Sequence, residues 1–355
     1  NSLRRCGPIN QIKYIINNLD QDLFTIKIVT LFSEKENSMI DIFEKSKISL
    51  VRLNYRNYFD LFLNSKRIYN ILNNNFDILH STGLISDIFA QSKKLKIPSL
   101  ISVRNYPFED YPSKFGFLLG AILSFIHISI LKKTYNIACS KYIKDRLNIH
   151  NIKSIVINNG IQVDLSNTYK KQSIKKKIIF PKDKIIFLGI GSLIPRKNFS
   201  TILKAFNLIT KNNYQLIILG DGRELSKLQK ISNKNVFFMG NVNNVKDYIQ
   251  ESDYFISASF SEGLPNSLLE AASNNLKCIV SNIRPHRELS FKEELLFFDT
   301  FDHYSLAKLI EDLLIKKTNT YKINTRKIII NEYSAKNMSN KYQTIYKKLY
   351  KAKNG

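Results

Sequence analysis

Two glutamates eight positions apart, Glu262 and Glu270, sit in the run Ser261-Glu262-Gly263-Leu264-Pro265-Asn266-Ser267-Leu268-Leu269-Glu270-Ala271. The run follows the apolar stretch Asp253–Ser259, which reads as a buried strand. Pro265 suits the first turn of a helix, and Asn266 or Ser267 can cap or line its start. Glu262 then lies in the loop and Glu270 within the helix. Carboxylates so placed accept hydrogen bonds from vicinal diols, and the helix N-terminus between them attracts an anion. The pattern suits a phosphorylated sugar.

Three further turns follow strands. Gly189-Ile190-Gly191-Ser192-Leu193-Ile194-Pro195-Arg196-Lys197-Asn198 combines a tight glycine backbone with two adjacent cations near a helix start. Arg196 and Lys197 could hold a diphosphate there; the competing reading is a solvated basic turn. Gly220-Asp221-Gly222 is a tight turn, and Met239-Gly240-Asn241-Val242 ends a strand where a base could lie against open backbone.

The elements that must position these residues form two sets. Strands are predicted at Phe24–Leu31, Ile48–Leu53, Asp77–His80, Ser99–Val103, Asn136–Cys139 and Ser154–Ile157. A second six are predicted at Ile185–Gly189, Gln215–Leu219, Val236–Met239, Tyr254–Ala258, Lys277–Val280 and Leu295–Phe298. Apolar runs of this length with helical patterns between them read as buried parallel sheets. Two sets predict an α/β protein of two doubly wound, Rossmann-like domains facing across a cleft. The predicted bounds are 1–165, a lysine-dense linker at 166–184, a domain at 185–333, and a helix at 334–355 that crosses back to the first domain. That helix carries Met338, Tyr342, Ile345, Tyr346 and Leu349 on one face, with Ser334 as N-cap.

The 355 residues hold 54 Lys+Arg against 29 Asp+Glu, a net charge of +25 spread over both halves. Such a surface attracts phosphates, nucleic acid or an acidic membrane, although runs such as Lys175-Lys176-Lys177 also fit AT-rich coding. Cys6, Cys139 and Cys278 offer no disulfide framework, which points to a reducing, cytoplasmic compartment. Asn1-Ser2-Leu3 reads as the continuation of a preceding segment, one strand of which is expected to be missing. The apolar run Phe115–Leu131 is at the lower limit for spanning a bilayer and reads as a buried or interfacial helix. With Lys114, Lys132 and Lys133 around it, it predicts peripheral docking on an anionic membrane.

The second half, with Gly191–Asn198, the glycine turns at 220–222 and 240, and the glutamate pair at 262 and 270, resembles family 4 glycosyltransferases of GT-B fold. In the first half the resemblance rests on Arg5-Cys6-Gly7-Pro8, on Asp77-Ile78-Leu79-His80-Ser81-Thr82-Gly83, and on Asn159-Gly160. The chain departs from the family at Arg104 and Thr82, where histidines are frequent. The resemblance implies a retaining, metal-independent enzyme without a cofactor, which moves a sugar from a nucleotide donor, UDP foremost. The acceptor would be a saccharide, lipid-linked, in surface polysaccharide synthesis on the inner face of the plasma membrane. Arg196 and Lys197 would neutralise the leaving diphosphate, Glu262 would touch the donor sugar and Glu270 the ribose. Gly263, Leu264, Pro265, Asn266, Gly191, Gly240, Asn241 and Gly7 would complete the donor site. Arg104, His80 and His286 would contact acceptor or sugar.

Asp20-Gln21-Asp22 falls on the amino side of a sheet and reads as a solvated turn rather than a metal motif, and His127 reads as a packing residue. Two other function classes compete. A sugar-nucleotide epimerase of the same fold shares these motifs. A nucleic-acid-binding protein accounts for the charge, but the basic residues are dispersed and no nucleic-acid module is present, so no nucleic-acid partner is expected.

Overall fold

The fold is given by a computed structural model, which describes residues 2–34, 38–46, 48–163, 181, 183–316 and 325–354. Two compact units emerge. The first comprises Asn1–Phe108, Ala121–Gln162 and Tyr333–Gly355; the second comprises Glu109–Gly120 and Val163–Glu332. The linker expected at 166–184 lies for the most part outside the described residues.

The first unit contains β1 (Lys27–Phe32), β2 (Ser49–Tyr55), β3 (Leu79–Ser81), β4 (Ser99–Val103), β5 (Tyr135–Ala138) and β6 (Ser154–Val156). They pair in two parallel sheets, β1-β2 and β3-β4-β5-β6. The two sheets share side-chain packing in place of a ladder. Leu31, Tyr55 and Phe89 form one buried apolar cluster, with Leu79 of β3 against it. Helix Ala335–Asn354 belongs to this unit, and its Met338, Tyr342 and Tyr346 are buried with Ile15, Leu100, Ile137 and Ile157. Ser334 caps it by accepting from the Asn337 N–H.

The second unit holds β7 (Ile185–Ile190), β8 (Tyr214–Leu219), β9 (Val236–Gly240), β10 (Tyr254–Ser257), β11 (Lys277–Ser281) and β12 (Leu295–Phe298). All pair in parallel, in the order β12-β11-β10-β7-β8-β9. Every residue of β8 is buried, as the apolar run Leu216 to Leu219 within it requires, and Gln215 is buried with them. The order reverses between β7 and β10. Crossovers leave that point on opposite faces of the sheet, so the loops beyond the carboxyl ends of β7 and β10 diverge and open a crevice. The Arg196-Lys197 loop follows β7 and the Glu262 loop follows β10. The topology thus brings the two most informative motifs of the sequence together.

Candidate active site

The loop after β7 runs through a 3-10 turn at Pro195–Lys197 into helix Phe199–Leu208. Asn198 joins them in the left-handed region (φ 51°), which asparagine tolerates, and its Oδ1 accepts from the hydroxyls of Ser200 and Thr201. The turn at 220–222 is stitched to this loop: the Leu193 N–H donates to the Asp221 carbonyl and the Glu224 N–H to the Leu193 carbonyl. Gly220 is required there, because a Cβ on it would lie 1.9 Å from the Gly191 carbonyl oxygen and its φ is 134°.

Glu262 is buried, 6% exposed, and its carboxylate is saturated. Oε1 accepts from Lys197 Nζ and from Ser259 Oγ (2.7 Å), while Oε2 accepts from Arg196 Nη1 (3.1 Å). Arg196 Nη1 also donates to the Ser261 carbonyl at 2.6 Å. Burial opposes ionisation of Glu262, but the Lys197 and Arg196 cations outweigh it and bring its pKa down to about 2. One carboxylate therefore pre-aligns two cations at the crevice. Preformed cations of this kind can neutralise the charge of a departing diphosphate.

Glu270 lies in helix Asn266–Ser273 and behaves oppositely. Its carboxylate makes no hydrogen bond among the described residues, and burial alone pushes its pKa up to about 7. The expected capping by Asn266 or Ser267 is corrected: Pro265 occupies the cap position, both residues lie within the first turn, and no side chain caps the helix. Leu264 and Pro265 are buried, which fixes the loop between Gly263 and the helix start. Gly240 takes φ 67° at the end of β9 and meets open space, with Asn241 exposed beyond it. His286 is fully buried; its Nδ1 donates to the Ser281 carbonyl at 2.8 Å, and burial brings its pKa down to about 4. Its Nε2 is thereby left as an unpaired acceptor.

The first-unit candidates divide. His80 is committed on both nitrogens, to Tyr346 Oη (2.7 Å) and Ser102 Oγ (2.6 Å), and Ser102 continues to Tyr342 Oη (2.7 Å). Burial holds its pKa down to about 3. Tyr346 of the terminal helix and Ser102 of β4 thus occupy both ring nitrogens. Arg104 is buried beside the Tyr342 ring, with Nη1 donating to Asn159 Oδ1 and no carboxylate in ion-pair range among the described residues. Gly7 opens helix Gly7–Asn17, with Cys6 as its extended N-cap. Asp20 and Asp22 are exposed, and the Asp22 N–H donates to Asp20 Oδ1, a turn as expected.

The family described as "Glycosyl transferases group 1" matches residues 170–333, the span that carries this cluster. Over that segment, just under half of the chain, the sequence matches the group 1 glycosyltransferases. Among its relatives, the Escherichia coli "O-antigen biosynthesis glycosyltransferase WclY" is 24% identical over 99% of this chain and 97% of its own length. The E. coli "UDP-Gal:alpha-D-GlcNAc-diphosphoundecaprenol alpha-1,3-galactosyltransferase" is 27% identical over 76% of this chain and 75% of its own. A solved structure titled "Crystal structure of Anabaena Alr3699/HepE in complex with UDP and glucose" superposes with a TM-score of 0.79 at 12% identity, covering 98% of both chains. The fold is GT-B, and the protein is a glycosyltransferase.

Several residues of this glycosyltransferase escape sequence reasoning. Ser259 bonds Glu262, and Ser281 Oγ donates to the Ser259 carbonyl, yet serines at strand ends carry no distinguishing pattern. Asp110 is buried with its Oδ1 3.9 Å from Arg196 Nε. The available signal was a pair of acids among aromatics, Tyr106-Pro107-Phe108-Glu109-Asp110-Tyr111.

Proposed function

We propose that this enzyme transfers a sugar, with retention and without a metal, from a UDP-sugar to a saccharide carried on a lipid diphosphate. The observation that carries the reading is the Glu262-Arg196-Lys197 cluster at the switch point, with the uncommitted carboxylate of Glu270 on the adjoining helix. In this reading Arg196 and Lys197 exchange Glu262 for the donor diphosphate, supplying the charge a metal supplies elsewhere. The released Glu262 meets the sugar hydroxyls, Glu270 accepts from the ribose diol, and His286 Nε2 accepts a hydroxyl proton. Gly191, Gly240, Asn241, Gly263 and Asn266 shape the donor site, and Arg104 serves the acceptor. UDP is preferred over GDP as the donor nucleotide because the superposed Anabaena protein is titled as a UDP complex and the galactosyltransferase relative is named for a UDP-sugar. That relative is also named for a lipid diphosphate substrate.

The enzyme works at an anionic membrane surface in this reading, on the cytoplasmic face. Helix Phe117–Leu131 exposes Phe117, Leu118, Ile122 and Phe125, with Leu118 78% exposed. Helix Tyr58–Leu63 exposes Tyr58, Phe59 and Leu63. Both attach to helix Leu84–Ala90, the first through His127 on Asp87 (3.0 Å), the second through Phe62 stacked on Phe89. Among the described residues no helix is long and apolar enough to cross a membrane. Calorimetric titration with UDP, GDP and tripolyphosphate tests the donor reading: UDP is expected to bind most tightly. Equal affinity for all three would contradict it.

A further inference from the structure

The Arg196 guanidinium is addressed from two sides. Nη1 is committed to Glu262 and the Ser261 carbonyl. Nε is buried without a hydrogen bond, and so is Asp110 Oδ1, 3.9 Å away. Nη2 makes no hydrogen bond to the described residues and is the nitrogen left for a ligand. Asp110 is itself fixed. It lies in helix Pro107–Phe115, whose Ser113 and Lys114 carbonyls accept from Arg223 Nη2 (2.6 Å) and Nη1 (3.3 Å), and Arg223 follows the glycine turn at 220–222. Its other oxygen, Oδ2, accepts from Lys114 Nζ at 2.5 Å. Arg196, Lys197 and Lys114 thus face Glu262 and Asp110, with Glu109 also acting on Arg196.

Two buried atoms of opposite charge, Arg196 Nε and Asp110 Oδ1, each without a hydrogen bond and about one ångström beyond contact, are an expensive arrangement if they do nothing. We infer that Asp110 is a positioning residue: it holds the Nε edge of Arg196, so that Nη2 is turned toward the leaving diphosphate, and Arg223 holds Asp110 in place through the carbonyls of its helix. The inference rests on the diphosphate role proposed for Arg196. With Nε held by Asp110, the guanidinium presents its Nη nitrogens without rotamer search even after Glu262 has been exchanged, and this matters most when charge grows on the leaving group. Loss of Asp110 should therefore act on kcat more than on donor KM.

The test is UDP release from the fastest of UDP-glucose, UDP-galactose and UDP-GlcNAc, with Asp110→Asn, Asp110→Glu, Arg196→Ala and the Asp110→Asn/Arg196→Ala double variant. Asp110→Asn is expected to lower kcat roughly tenfold or more with donor KM nearly unchanged. Asp110→Glu, long enough to close the gap, should restore most of it. In the Arg196→Ala background Asp110→Asn should cost nothing further. Equal losses in both backgrounds, or a normal kcat for Asp110→Asn, would overturn the inference. If thermal melting shows that Asp110→Asn does not fold, Arg223→Gln carries the test, since it loosens the helix without touching the buried carboxylate. The same kcat-selective loss is then expected, and a normal kcat counts against the inference. Arg196→Ala separates the two claims: wild-type UDP release by that variant defeats the diphosphate reading itself, whereas its loss alongside a normal Asp110→Asn defeats only Asp110.

Discussion

At the scale of single residues, Glu262 and Glu270 show one side-chain type driven in opposite directions. Glu262, with its pKa down to about 2, stabilises the fold above the usual carboxylate range, and that contribution is lost as pH falls from about 4.5 toward 2. Glu262→Gln leaves Arg196 and Lys197 buried without their anion, at a cost of about 3–5 kcal/mol at neutral pH. It is expected to lower both Tm and kcat, while UDP affinity does not weaken, because a diphosphate can replace the lost carboxylate. Calorimetry beside kinetics checks this. Glu270 has the reverse sign: with a pKa raised to about 7, its stabilising contribution is present below the usual carboxylate range and is lost as pH rises through 7. Glu270→Gln should therefore raise Tm at pH 8 and leave it nearly unchanged at pH 5. Wild-type affinity for UDP should gain on that of Glu270→Gln between pH 6 and 8, as the carboxylate ionises to meet the diol. A parallel pH profile for the two proteins would remove Glu270 from the nucleotide site. These two residues were legible from sequence because a strand, a loop and a proline-started helix locate them. Their environments were not, since Ser259 and Asp110 reach Glu262 and Arg196 only in three dimensions.

At the scale of elements, legibility tracked apolar continuity. All six strands of the second unit were read within about a residue of their observed bounds, because each is a short apolar run between turns, β9 included although none of its residues is fully buried. The first unit was read less well. β1 and β2 are half-exposed, and their separation from β3–β6 depends on side-chain packing that no local pattern reports. The surroundings of His80 were hidden for a related reason: its partner Tyr346, and Tyr342 beyond Ser102, come from the far end of the chain. Tyr342→Phe should cost about 1 kcal/mol in chemical denaturation, the value of one buried hydrogen bond, because Ser102 keeps its bond to His80. The exposed face of helix Phe117–Leu131 makes a separate claim. Phe117→Ser/Leu118→Ser should abolish flotation with anionic liposomes at low salt yet leave Tm unchanged, since both side chains already face solvent. Flotation equal to wild type would place the membrane contact elsewhere.

At the scale of the whole molecule, +25 charges act over a Debye length, so wild-type liposome binding should fall between 50 mM and 500 mM salt, leaving the part due to apolar insertion. The same charge raises the local concentration of anionic donor without choosing among nucleotides. Choice belongs to the crevice where β7 and β10 diverge, and there the account stands or falls. The direct measurement is nucleotide release from UDP- and GDP-sugars by wild type, Arg196→Ala and Lys197→Ala, each variant first shown to melt cooperatively. The expected result is turnover of a UDP-sugar by wild type and a fall of about a hundredfold or more in each variant, as for loss of a charge that stabilises the transition state. Undiminished turnover in both variants would contradict the account.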